Sequence, residues 1–181
     1  MSASHSAPEL VFGYGNPSRG DDALGPMFVE RLRAGGNRAQ TTVSQHRKTV
    51  VCPQFSDIEL LTDFQLQPEH ALDLRRRKRV LFVDASSTCA EPYELLPLAP
   101  APEASVFTHA LAPGALLAVF ERIEGAAPPR SWMLGIRGYS FELGEPPSER
   151  ALENLEAAIR RARDWLAAGD APAATDATSR P

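Results

Sequence analysis

Two adjacent carboxylates, Asp21 and Asp22, leave the glycine-rich segment Gly13-Tyr14-Gly15-Asn16-Pro17-Ser18-Arg19-Gly20, and Gly25 follows shortly after them. A further acid, Asp84, closes the apolar run Leu81-Phe82-Val83, and His109 stands just before an apolar pattern that begins at Leu111. A glycine turn of this kind usually cradles phosphate through its backbone amides, but two acids at its exit repel phosphate. Two carboxylates and an imidazole instead suit a divalent ion in a site open to substrate, and they are too few to hold such an ion permanently. Peptide hydrolysis is a second use for the same groups. It needs an activated water and a proton for the leaving amine, tasks that a carboxylate of tuned proton affinity can share with its neighbour. Asp22 and Asp84 can therefore serve as an acid pair or as metal contacts. Simpler duties compete: one of the adjacent aspartates can cap a helix, Asp84 can form the turn after a strand, and His109 can bond backbone at a helix start. Asp21 is the rival of Asp22 for the chemical role.

These side chains meet only if the elements that carry them share one sheet. Leu10 to Tyr14 predicts a strand, the glycines after it allow a sharp turn, and Leu24, Met27, Phe28 and Leu32 predict a helix over Leu24 to Arg33. Ala34 to Phe55 reads as a long connection with one extra strand near Thr49 to Cys52. Asp57 to Phe64 is a strand candidate, and Gln67-Pro68-Glu69 starts a helix with proline in its first turn and Ala71, Leu72 and Leu74 as apolar positions. Val80 to Val83 has the uninterrupted apolar character of a parallel strand covered on both faces. Tyr93 to Leu98 predicts an edge strand, since prolines crowd it. A helix over Ala110 to Ile123, a strand over Trp132 to Ile136 and a long helix over Ser148 to Leu166 complete the chain, with Ser148 as a simple cap. From Ala167 onward alanine, proline, aspartate and threonine show no apolar period, which predicts a disordered tail over 167–181. The alternation predicts an α/β fold: a three-layer α/β/α sandwich around a twisted, mostly parallel sheet of about five strands, formed by residues 1–166 as one domain, with functional residues at the carboxyl ends of strands.

Composition narrows the function. At 181 residues, 43% hydrophobic and 23% charged, the chain suits one globular domain. A net charge of −4 and a pI near 5.6 do not favour nucleic acid. The basic run Arg75-Arg76-Arg77-Lys78-Arg79 reads as a solvated helix end facing the negative pole of the dipole. Met1 to Glu9 lacks the features of a secretory signal and no run reaches the length of a membrane span, so a cytoplasmic protein without membrane contact is expected. Cys52 and Cys89 stand far apart outside any paired-cysteine motif, which predicts free thiols. His46 and His70 read as surface residues. No Gly-x-Ser-x-Gly elbow occurs and neither cysteine has a histidine motif, which disfavours a serine or cysteine hydrolase.

The set Gly13, Gly15, Asn16, Asp21, Asp22 and Gly25 resembles the signature of the hydrogenase maturation endopeptidases: a strand, Gly-x-Gly-Asn, a short spacer, an acidic pair and a glycine. Those enzymes trim the C-terminal extension from the large subunit of nickel-iron hydrogenases. Ala23 stands where a glycine is common, a mild departure. Gln65-Leu66-Gln67-Pro68-Glu69 and the stretch from Gly135 to Gly144 extend the resemblance over most of the chain. It implies that Asp22, Asp84 and His109 form the catalytic and nickel-recognising set, supported by the turn residues Gly13, Gly15, Asn16, Asp21 and Gly25. It further implies a large-subunit precursor as partner, with the nickel held by the precursor's own thiolates, no tightly bound cofactor, and a monomeric protease. Two other readings stand beside it. One is a nucleotide-binding α/β protein, although the third glycine of that fingerprint is missing and Asp63 is the only tempting ribose acid. The other is a metallocentre assembly factor that binds the precursor without cutting it.

Overall fold

The apolar segment Glu9–Tyr14 forms strand β1, buried from Leu10 onward, and lies inside a seven-stranded sheet. The computed structural model describes residues 8–34, 40–44, 47–51, 58–101 and 111–168. After β1 a 3-10 turn, Gly20–Ala23, leads into helix α1, Leu24–Ala34. The strands β2 (Gln40–Ser44), β3 (Arg47–Val51) and β4 (Ile58–Asp63) follow. Next come a 3-10 segment over Pro68–Leu74, β5 (Arg79–Ser86), β6 (Tyr93–Leu98), α2 (Pro113–Glu124), β7 (Arg130–Arg137) and α3 (Glu149–Ala167).

The strand order is β2-β3-β4-β1-β5-β7-β6. β4, β1, β5 and β7 run parallel, whereas β2–β3, β3–β4 and β6–β7 pair antiparallel. The three-layer α/β/α architecture is as the alternation predicts, and β6 is the expected edge strand. The sheet is wider than five strands because the connection over 34–55 contributes the pair β2–β3 instead of one strand. The β2 sequence, Gln40-Thr-Thr-Val-Ser, lacks the apolar alternation that announces a strand, and it joins the sheet by pairing with β3, which pairs with β4.

Successive side chains of a strand point to opposite faces, and the two faces build two cores. Val11, Leu60, Leu81, Val83 and Ile136 pack under α1 and α3. Leu10, Phe12, Tyr14, Leu61 and Phe82 pack under the 3-10 segment and α2. Each such side chain contributes about 1.5–3 kcal/mol by leaving water. The helix expected after Gln67 is a 3-10 segment that stops at Leu74. Arg75 is extended and Arg76 takes φ 62°, so no room remains for α-helical turns. α2 begins at Pro113, with proline in its first turn. Residues 102–110, His109 among them, lie outside the described residues, as does the tail beyond 168. Ser148 caps α3 as expected, its hydroxyl accepting from the Ala151 N–H.

Arg75, Arg76 and Lys78 of the basic run are exposed as expected, but Arg77 and Arg79 are not solvated, which corrects that part of the reading. Arg75 pairs with Glu124, Arg77 with Glu59, and Arg79 with Glu9. The side chains of Arg77 and Arg79 are buried, and the Arg79 guanidinium lies 4.1 Å from the Trp165 ring centroid. Parallel register sets the Arg79–Glu9 pair, since these residues oppose each other at the amino ends of β5 and β1.

At the carboxyl ends α1 meets the sheet without intervening side chains. A Cβ on Gly25 would stand 2.2 Å from the Tyr14 carbonyl oxygen and 2.7 Å from that of Val83. A Cβ on Gly13 would stand 2.2 Å from the Gly25 oxygen. The two glycines are thus required by contact between backbones. Gly25→Ala should lower the unfolding free energy by about 1–3 kcal/mol through forced displacement of α1. Urea denaturation checks this; an unchanged midpoint would show that the helix does not rest on the strand ends.

Candidate active site at the carboxyl ends of the central strands

Parallel register brings the last residues of three neighbouring strands together. Asp63 of β4 lies opposite Tyr14 of β1, and Gly13 lies opposite Val83 of β5, so Tyr14 and Asp84 leave the sheet side by side. Phe12, Tyr14, Val80 and Phe82 all face the α2 layer. Asp84 follows the same alternation; the Tyr14 hydroxyl donates to Met133 Sδ at 3.9 Å and lies near enough to the Asp84 carboxyl for the two groups to perturb each other. Burial pushes the Asp84 carboxyl up to about 7. The Ala85 N–H, donating to Asp84 Oδ1 at 2.7 Å, opposes this, the nearby Asp22 charge adds to it, and the Tyr14 hydroxyl offsets part of it. Tyr14 is in turn held well above the usual tyrosine range by burial and by the Asp84 charge.

The two adjacent aspartates have opposite environments. Asp21 is completely buried. Its Oδ2 accepts from the Tyr139 N–H (2.6 Å), the Ser140 N–H (2.9 Å) and the Ser148 hydroxyl (2.9 Å), and its Oδ1 accepts from the Ser148 N–H (2.6 Å). Burial alone would raise its pKa, but the donors from Ser140, Tyr139 and Ser148 outweigh burial and hold it below the ordinary aspartate value. Asp22 is partly exposed and accepts the Asn16 N–H at 3.0 Å. Gly15, at φ 138°, makes that turn possible, because a Cβ there would meet the Asp22 carbonyl oxygen at 2.0 Å. Both aspartates lie inside the 3-10 turn Gly20–Ala23, whose cap position is Arg19 and carries no side-chain cap bond. The Asn16 amide that a bound phosphate would seek is occupied by a carboxylate, which counts against the nucleotide reading.

Asp22 and Asp84 therefore come close enough for their charges to interact, while Asp21 belongs to the scaffold. Gly13, Gly15, Asn16 and Gly25 shape the turn as expected, and His109 lies outside the described residues. Among the described residues no group of three or more His, Cys, Asp or Glu is arranged to hold a metal ion. Sequence reading missed Tyr14, whose signal was its place on the Phe12 side of β1. It also misplaced His70, which is buried with 6% exposure beneath Phe12. A 3-10 segment turns every third residue toward one side, and the helical period assumed for residues 67–74 pointed it outward.

Fold and site together define an α/β/α protein with paired acids at the carboxyl crest of a parallel sheet. No protein-family model matches the chain, and no curated protein matches it. Solved structures do. A nickel-iron hydrogenase maturation protease, HycI, from Thermococcus kodakarensis is 23% identical with a TM-score of 0.59, the alignment covering 91% of this chain and 95% of that one. The hydrogenase maturating endopeptidase HybD from E. coli is 21% identical with a TM-score of 0.62, covering 88% and 91%. HybD from T. kodakarensis gives 15%, 0.58, 87% and 98%. The fold of this chain is that of the hydrogenase maturation proteases, as the glycine-acid motif implied.

The opposite environments of the acids have opposite pH signatures. Asp21→Asn should cost about 2–4 kcal/mol near neutral pH, because the charge that holds the donors is gone. The folded pKa of Asp21 is depressed, so its contribution is present above the unfolded value of 3.8 and is lost as pH falls through the folded value. The gap between wild type and variant should shrink in acid. Asp84 has a raised folded pKa of about 7 against 3.8 unfolded, so its contribution is present below 3.8 and lost as pH rises through 7. Asp84→Asn should therefore equal wild type in acid and exceed it in stability above pH 7. Urea titrations from pH 3 to pH 9 check both, and parallel pH curves for variant and wild type would refute the assignment.

Proposed function

We propose that the chain is a hydrogenase maturation endopeptidase that removes the C-terminal extension of a nickel-loaded large-subunit precursor. The observation that carries this reading is the approach of Asp22 and Asp84 at the strand crest, with the Asp84 proton affinity brought to neutrality by burial. At neutral pH such a carboxyl is protonated in a large fraction of molecules and can give its proton to a leaving amine. Asp22, partly exposed beside the glycine turn, takes a proton from the attacking water in this reading. The shared fold with solved hydrogenase maturation proteases supports the substrate class.

In this reading Asp22, Asp84 and His109 also face the nickel that the precursor carries in its own thiolates, so the ion reports that assembly is complete. The protease itself keeps no cofactor and acts as a cytoplasmic monomer. Among the described residues no helix is long and apolar enough to cross a membrane. Loss of the extension lets the large subunit close over its metal site, which makes the step irreversible in practice.

The protein should cleave a nickel-loaded precursor and leave the same precursor uncut when nickel is absent, because positioning of the peptide bond depends on contact with the ion. A time course with both forms at equal concentration decides this; equal rates would remove nickel from the mechanism. A discrete C-terminal fragment separates a protease from an assembly factor that only binds. Asp22→Asn and Asp84→Asn should each abolish the fragment while the chain still folds.

A further inference from the structure

We propose that His70 is a positioning residue of this site, acting through Asp63. The inference rests on the peptidase reading above and adds to it a third carboxylate and the group that aims it.

Asp63 ends β4 directly opposite Tyr14, and Asp84 follows Val83, which lies opposite Gly13. Asp63, Tyr14 and Asp84 thus form a row across three adjacent strands. Asp63 lines a cavity of about 220 Å³ together with Thr62, Glu69, His70 and Asp73, and its side chain is 42% exposed there. An aspartate so open to water would ordinarily sample several rotamers. Here both oxygens are engaged. Oδ1 accepts the Phe64 N–H at 2.6 Å, and Oδ2 lies 3.3 Å from His70 Nε2.

The imidazole is itself fixed. Its ring packs edge-on against Phe12 with centroids 4.8 Å apart, and Nδ1 accepts the Gln67 N–H at 2.9 Å. That bond leaves the proton of the neutral ring on Nε2, the nitrogen facing Asp63. Capping the 3-10 segment requires only an acceptor at the Nδ1 position. The second nitrogen, turned from a buried ring toward a solvent-facing acid, serves the acid. A carboxylate held in one direction before substrate arrives loses less freedom on binding. Asp63 then offers a fixed acceptor to a peptide N–H of the precursor segment that crosses the crest.

Two amide substitutions separate the nitrogens. In His70→Asn the amide oxygen can replace Nδ1 and keep the Gln67 bond, but the side chain is too short to reach Asp63. In His70→Gln the amide nitrogen reaches the Nε2 position and keeps the Asp63 contact, while the Gln67 bond is weakened. Cleavage of the nickel-loaded precursor, measured where the variant is folded, should show kcat/KM reduced about tenfold or more in His70→Asn. His70→Gln should retain wild-type kcat/KM within about threefold even where its midpoint falls. A purely structural histidine gives the reverse order, and that result overturns the proposal. Asp63→Asn, at an exposed position, carries the test should the His70 variants fail to fold: about a tenfold loss supports the proposal and wild-type rates overturn it. Adding His70→Asn to Asp63→Asn should cause no further loss, since one acts through the other. Failure of the wild-type protein to cut the precursor overturns the peptidase reading and this inference with it. Cleavage by wild type with an equally active His70→Asn overturns the inference alone.

Discussion

A carboxylate buried without compensation would destabilise the fold by several kcal/mol, and Asp21 is buried completely. The structure around it is organised by the need to satisfy that charge. The donors come from Tyr139 and Ser140 after β7 and from Ser148 at the start of α3. Ser148 gives its hydroxyl proton to Asp21 while its oxygen caps α3, so one side chain joins the acid to the helix. The surrounding backbone closes the same junction: the Asp21 N–H donates to the Ser140 carbonyl, Gly20 to Glu145, and Gly144 to Ser18. Three segments distant in sequence are thus held at one point, and the residue after Asp21 has little freedom left. Asp22 takes its position from a neighbour that performs no chemistry.

The crest combines that constraint with the geometry of a parallel sheet. Parallel strands deliver their carboxyl ends to one side, and alternation decides which face each end residue joins. Tyr14 and Asp84 share the α2 face side by side, while the glycine contacts of α1 occupy the opposite face. The Gly13–Gly25 approach brings the first turn of α1 down to the strand ends, which carries Asp22 toward Asp84. Two residues adjacent in the chain, Asp21 and Asp22, consequently have different fates. Asp21 is surrounded by donors and held ionised, whereas Asp22 stays partly open to solvent and raises the proton affinity of Asp84 across the turn.

The opposite end of the sheet has a different character. There Arg79 pairs with Glu9 and Arg77 with Glu59, and the Arg79 guanidinium rests on Trp165 of α3. A buried arginine needs its charge paired and its donors used, and these contacts do both while tying β5 to β1 and α3. Buried arginine–glutamate pairs secure the amino ends, while Asp21, Asp22, Asp63 and Asp84 collect at the carboxyl ends.

The sequence by itself determined the layers and most of the elements, because apolar residues recur at helical spacing in α1 and α3 and run unbroken through Val80 to Val83. It also marked Asp22 and Asp84 as chemically able, since their types and their places after strands are local facts. It put Asp22 ahead of Asp21 only through the motif's resemblance, with no physical ground for the difference. That ground lies with Tyr139, Ser140 and Ser148, more than a hundred residues away, and only chain folding brings their donors to one carboxylate. The β2–β3 pair was invisible for a related reason: a polar hairpin gains its place from pairing with a neighbour. Tertiary structure alone showed His70 beneath Phe12, Arg77 and Arg79 buried in ion pairs, and Tyr14 beside Asp84. Each depends on which residues stand opposite one another across strands, and register is fixed by packing of the whole sheet.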